Sequence, residues 1–196
     1  MTDQKLTYAQ VKRAIIASLT ADLLEPKWRA LVSPDDPPEA GHCAVATEAF
    51  YYLAGGRAAG FMPVVCGYDA DEAGHMHFGA ERGQHQGAHK GSMRETHRET
   101  HWWVRGPANG VRGKGRIFDV TAGQYPAPFP YQHGRNTGFM QPQQKPSKRA
   151  QTVMDRVAAR LGRAALDAYR RDNIRRFGTP QTARPAAAHK KRSAAP

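Results

Sequence analysis

The sequence predicts an α+β domain in which a cysteine-bearing helix packs on a small antiparallel sheet, with a basic helix and tail behind it. Three observations lead there. Residues 41–53, from Gly41-His42-Cys43 to Leu53, set Ala44, Ala46, Ala49, Phe50 and Leu53 at three- and four-residue steps, the spacing of a helix with an apolar face. His101-Trp102-Trp103-Val104 and Arg116-Ile117-Phe118-Asp119-Val120-Thr121 are rich in aromatic and β-branched residues and flank a Gly-rich turn region, as paired antiparallel strands do. Basic charge is confined to one end. Residues 145–196 carry 14 Lys/Arg against 3 Asp/Glu, whereas residues 1–144 carry 15 against 14.

Taken in order, Thr7 is the expected N-cap of a first helix reaching about Leu24. Val11, Ile15, Ile16, Leu19 and Leu23 form its stripe, and Glu25-Pro26 stops it. Trp28 and Leu31-Val32 are expected to pack beside it. A Pro/Asp-rich loop, 33–40, leads into the Cys43 helix, which Gly55-Gly56 should end. Residues 61–68 read as a strand, with Pro63 marking an edge position or a strand that starts just after it. Cys66, among valines, is expected to be buried and inert.

From Asp69 to Thr100 the chain is polar and Gly-rich, with His75, His77, His85, His89 and His97; Arg94-Glu95-Thr96-His97 repeats at once as Arg98-Glu99-Thr100-His101. The reading here is a solvated loop. No cysteine pair accompanies the histidines and no zinc-protease spacing is present, so no metal is expected. Ser147 is the expected cap of one long basic helix, 147–178, with Met154, Val157, Leu161, Ala165 and Ala168 on its apolar face. Residues 179–196 lack large apolar side chains and are expected to be disordered.

At 196 residues the chain suits one domain plus extra segments. No apolar run approaches the roughly 18 residues of a membrane span. A polar N-terminus without an apolar leader, and two thiols that make no disulfide framework, fit a reducing cytosol.

The chemistry gathers on three residues. Cys43 at a helix start would have its thiolate favoured by unpaired N–H groups and by the helix dipole; alone it is as readily a small buried residue. His101 near the start of one strand and Asp119 near the end of the next are brought close by antiparallel pairing. A thiol, an imidazole and a carboxylate supply a nucleophile, a general base and a group that orients the base. N–H groups at the helix start could bind an oxyanion.

Gly41-His42-Cys43-Ala44-Val45, His101-Trp102-Trp103 and Asp119-Val120-Thr121-Ala122-Gly123-Gln124-Tyr125 together resemble the YunG-like family, a group within the papain-like transglutaminase and NlpC superfamily of cysteine hydrolases. Gly138-Phe139-Met140 and Pro146 to Ala150 continue the resemblance, which covers roughly residues 5–160. It implies a papain-like catalytic domain over 1–146, with Cys43 as nucleophile, His101 as base and Asp119 as orienting acid. His42, Trp102 and Gln124 would line the cleft. No cofactor is implied. The duplicated tetrapeptide leaves His97 and His101 as alternative bases.

The function expected is acyl chemistry on an amide or ester (hydrolysis, deamidation or transfer), with no membrane partner. A second reading rests on charge: Arg170, Arg171, Arg175 and Arg176, with the basic tail, could bind nucleic acid through phosphates without sequence preference. No aromatic-interleaved reading platform accompanies them.

Overall fold

Thr7 starts the first helix by reciprocal capping. Its Oγ1 accepts from the Gln10 N–H, and the Gln10 side chain accepts from the Thr7 N–H. The computed structural model describes residues 5–70, 76–78, 99–107, 115–125, 128–139 and 145–178. Helix α1 spans Tyr8–Ile16, much shorter than the periodicity suggests. The Ser18 hydroxyl donates to the Ala14 carbonyl at 2.7 Å, and Thr20 is extended at φ −147°; both withdraw the backbone from the helix. The apolar stripe still holds, because a 3₁₀ turn at Ala21–Leu23 returns Leu23 to the core.

Pro26 opens a short helix, α2 (Pro26–Arg29), so the Glu25-Pro26 stop is also a start. Leu31, expected to pack, is 61% exposed. Helix α3 (Cys43–Leu53) follows, and Gly55, at φ +104°, ends it. A Cβ there would stand 2.9 Å from the Ile174 side chain, so this position needs both the left-handed backbone and the missing side chain.

Strand β1 (Met62–Ala70) is antiparallel to all its neighbours: β3 (Glu99–Arg105) on one side, and β2 (Met76–Phe78) and β5 (Arg135–Asn136) on the other. Strand β4 (Ile117–Phe118) pairs with β3 through Val104↔Phe118 and Arg105↔Ile117. β1 is thus interior, not an edge. Pro63 fits because its carbonyl accepts from the Thr137 N–H on the β5 side, so its missing N–H falls on that side and the β3 ladder is intact. β2, both ends of the polar segment (Asp69-Ala70 and Glu99-Thr100) and β5 were not legible as strands; they form by pairing with β1 and β3, not by apolar pattern. His75, His85, His89, His97 and the tail 179–196 lie outside the described residues.

The basic segment is two helices, not one. α4 (Lys148–Leu161) ends at Gly162 (φ +85°) and α5 (Arg163–Phe177) begins at once. Nor is it an appendage. Ala150, Val153, Val157, Leu166 and Tyr169 are buried in one core with Val11, Ile15, Val45, Ala49, Phe50 and Phe118. Ser147 caps α4 as expected, accepting from the Ala150 N–H, while its own N–H and hydroxyl donate to the buried Glu48 on α3. Arginines of α4 cap the chain after α1: Arg160 donates to the Ala17 carbonyl and Arg156 to that of Ser18. Among the described residues no helix is long and apolar enough to cross a membrane.

A smaller cluster (Val64, Cys66, Tyr68, Trp103, Phe129) covers the sheet face opposite α3. Cys66, pairing with His101 and 3% exposed, belongs there as expected.

Candidate active site

Side chains alternate along β3, so His101 and Trp103 enter the smaller cluster while Val104 enters the main core. Beyond the two-residue β4, no strand among the described residues pairs with the outward backbone groups of β3. The start of α3 takes that edge. The Thr47 hydroxyl donates to the Trp102 carbonyl at 2.9 Å, and Cys43 Sγ donates to the Thr100 carbonyl at 3.3 Å. Cys43 is thereby held beside the strand that bears His101.

His101 is fully buried, not a solvated edge residue. Its ring centroid lies 4.5 Å from that of Phe129 and 4.7 Å from that of Tyr125. Nε2 meets Asp119 Oδ2 at 2.7 Å, and Nδ1 meets the Gln124 side-chain amide nitrogen at 3.2 Å. The Gln124 amide also donates to Thr121 Oγ1 at 3.1 Å. An amide N–H can only donate, so the network is satisfied when Nδ1 is the lone-pair nitrogen and Nε2 carries the proton. That is the tautomer a general base at Nδ1 needs. Among the described residues, His101 and not His97 occupies this position.

Asp119 follows β4 and is buried. Oδ2 also accepts from the Tyr131 hydroxyl at 2.8 Å, and Oδ1 accepts from the Thr121 N–H at 2.9 Å. A buried carboxylate with three such donors is fixed in place. Burial, then the negative charge of Asp119, pushes the Tyr131 hydroxyl well above its ordinary pKa, so it remains a donor.

The helix start does not lower the Cys43 pKa. Burial pushes the thiol up to about 12, against the pull of the Trp102 and Ala44 N–H groups, and Asp119 adds to the rise. Helix-end effects of roughly 0.3–1 kcal/mol amount to less than one pKa unit, whereas burial moves a group by several. In this arrangement the thiol donates to a carbonyl and makes no bond to His101, whose two nitrogens are already engaged. Iodoacetamide should therefore modify Cys43 slowly at pH 8–9, where a free thiol of pKa about 8.5 is half ionised. The rate should climb toward pH 12; a profile centred near or below 8.5, read by peptide mass spectrometry, contradicts the burial argument. The same shift favours the folded chain below the free-thiol pKa, and that contribution is lost as pH rises toward 12.

Trp102 and Gln124 line a cavity of about 230 Å³ with Cys43, together with Trp28, Tyr68 and Tyr125. His42, expected to line it, does not border it. It is 4% exposed, and its two ring nitrogens lie against the Ala40 and Thr20 carbonyls at 2.9 and 3.1 Å, tying the 33–42 loop to the end of the first helical segment. Tyr131, Phe129 and Thr121 were not singled out from sequence. Thr121 shares the parity of Asp119, a signal that was available, whereas Tyr131 arrives through a loop fold that no local pattern encodes.

The four arginines of the nucleic-acid reading do not share a face. Arg170 borders a cleft at the end of α3, Arg171 and Arg175 border another near Lys5, Arg175 pairs with Asp172, and Arg176 lies over the Phe177 ring. Among the described residues no three His, Cys, Asp or Glu side chains gather as metal ligands. Comparison with family models, with characterised proteins and with solved structures finds no match to the chain.

Proposed function

We propose that the chain catalyses cysteine-dependent acyl transfer on an amide or ester, in a papain-like arrangement with Cys43 as nucleophile, His101 as base and Asp119 as the group that orients it. The observation that carries this reading is the buried pair His101–Asp119, with Nδ1 left as the lone-pair nitrogen, beside a thiol at the rim of one cavity. A merely structural histidine does not need a three-donor carboxylate to choose its tautomer.

With the thiol neutral at rest, activation coincides with attack. Nδ1 takes the Cys43 proton as the sulfur adds to the carbonyl carbon, so a C–S bond forms and the carbonyl oxygen becomes an oxyanion. The imidazolium, stabilised by Asp119, returns that proton to the departing amine or alkoxide as the C–N or C–O bond breaks, leaving a thioester. Water or an amine, deprotonated by His101, then cleaves the thioester and restores the thiol. For Nδ1 to act, the Gln124 amide must leave it. That side chain lines the Cys43 cavity and is then free to donate to the oxyanion.

The test is intact-mass analysis of wild type and Cys43→Ala after exposure to activated esters and glutamine-containing peptides. An acyl group mapping to Cys43 in wild type and absent from the variant is expected. No adduct at Cys43 under any of these substrates, or undiminished turnover in the variant, would sink the reading.

A further inference from the structure

A second cleft, of about 530 Å³ against about 230 Å³ for the cysteine cavity, lies at the other end of the α3 helix. This is within the roughly 300–1,000 Å³ range of small-molecule sites. Tyr51, Tyr52 and Phe139 form its aromatic wall, Met62, 43% exposed, contributes apolar surface, and Arg57 and Arg170 border it from two different elements.

Two features set this cleft apart from ordinary surface. Its described lining contains two arginines and no carboxylate, and neither guanidinium makes an ion pair or hydrogen bond among the described residues. Several other arginines of α4 and α5 are spent on the fold: Arg149, Arg156, Arg163 and Arg175 each pair with a carboxylate. The two guanidiniums bordering this cleft offer forked donors suited to a phosphate or carboxylate. The second feature is the ring system. Phe139 lies 5.3 Å from Tyr51 and 6.4 Å from Tyr52, and it stacks on Trp102 at 5.7 Å and 18°. Trp102 in turn lines the Cys43 cavity. Eight or nine residues of helix separate Cys43 from the two tyrosines, about 12–14 Å at 1.5 Å per residue.

We propose that this cleft is a binding site for a planar aromatic anion, its ring held against Tyr51, Tyr52 and Phe139 and its phosphate or carboxylate held by Arg57 and Arg170. The site does not depend on the chemistry at Cys43. A ligand seated there touches Phe139, which stacks on the Trp102 ring that lines the cysteine cavity, so the two sites are one ring apart.

Calorimetric titration of the full chain with phenyl phosphate, benzoate, phenol and inorganic phosphate tests it. At least one of the two aromatic anions should bind saturably, and which of them binds more tightly identifies the oxyanion. Phenol and inorganic phosphate, each lacking half of the recognition, should bind at least about tenfold more weakly. Arg57→Ala and Arg170→Ala should each weaken binding about tenfold or more, the loss expected of a charge-assisted hydrogen bond. Both side chains are exposed, so the fold is not at risk, and circular dichroism checks this. Cys43→Ala should bind as wild type does, which separates this site from the catalytic reading. No saturable binding of either aromatic anion, undiminished binding in the double arginine variant, or inorganic phosphate binding as tightly as phenyl phosphate would each overturn the proposal.

Discussion

Replacing His101 by alanine should slow acylation of Cys43 by an activated ester by about 10²–10⁴-fold, the usual worth of a positioned general base. The expected loss is large because the thiol has no other route to ionisation near neutral pH: its pKa is pushed up to about 12, and the helix start does not compensate. A cysteine whose thiolate were preformed by the helix would lose far less. The experiment therefore distinguishes proton transfer at the moment of attack from a standing thiolate. Stopped-flow acylation with a p-nitrophenyl ester, with Cys43→Ala as the blank, gives the rate. Asp119→Asn should lower it too, since the carboxylate holds the Nε2 proton at 2.7 Å and leaves Nδ1 free to accept. A His101→Ala rate equal to wild type would remove His101 from the mechanism.

The largest expected effect on stability is at Phe50. Its side chain is fully buried where α3 meets the sheet, with ring centroids 5.2 Å from Tyr8, 5.6 Å from Phe118 and 6.0 Å from Phe61. Phe50→Ala removes the ring that joins α1, α3, β4 and the start of β1, and neighbours held by their own contacts cannot close the gap. A loss of about 3–5 kcal/mol is expected, a large part of the roughly 5–15 kcal/mol that holds a domain folded. Urea denaturation should show the midpoint falling with little change in slope. Leu31→Ala, at a side chain 61% exposed, should change the midpoint very little. Equal effects at the two positions would contradict the described core.

Local pattern sufficed where a residue's role depends on near neighbours. Thr7 and Ser147 cap their helices as read, because capping needs only a hydroxyl and an N–H three residues on. The Cys43 helix and the strand carrying His101 were legible for the same reason, whereas the expected strand 116–121 is only Ile117–Phe118, with Asp119 just beyond its end. The class followed: an α+β chain with a cysteine-bearing helix against an antiparallel sheet. His101 meeting Asp119 was legible too, since antiparallel pairing with a known start and end fixes which residues approach.

Tertiary structure decided everything that depends on what lies across a gap. Whether α1 reaches Leu24 turned on Ser18 and Thr20 finding other partners, and whether 147–178 is an appendage turned on Val153 and Val157 finding α1 and α3. A β2 of three polar-segment residues forms only because β1 offers it a ladder. The Cys43 thiol shows the division most sharply. Sequence places it at a helix start, which favours the thiolate by less than one pKa unit; partial burial at the rim of the cavity outweighs this and pushes the thiol up to about 12. The helix effect is local and readable along the chain. Desolvation is set by residues as distant in sequence as Tyr68, Thr100 and Tyr125, which only the folded chain brings around it.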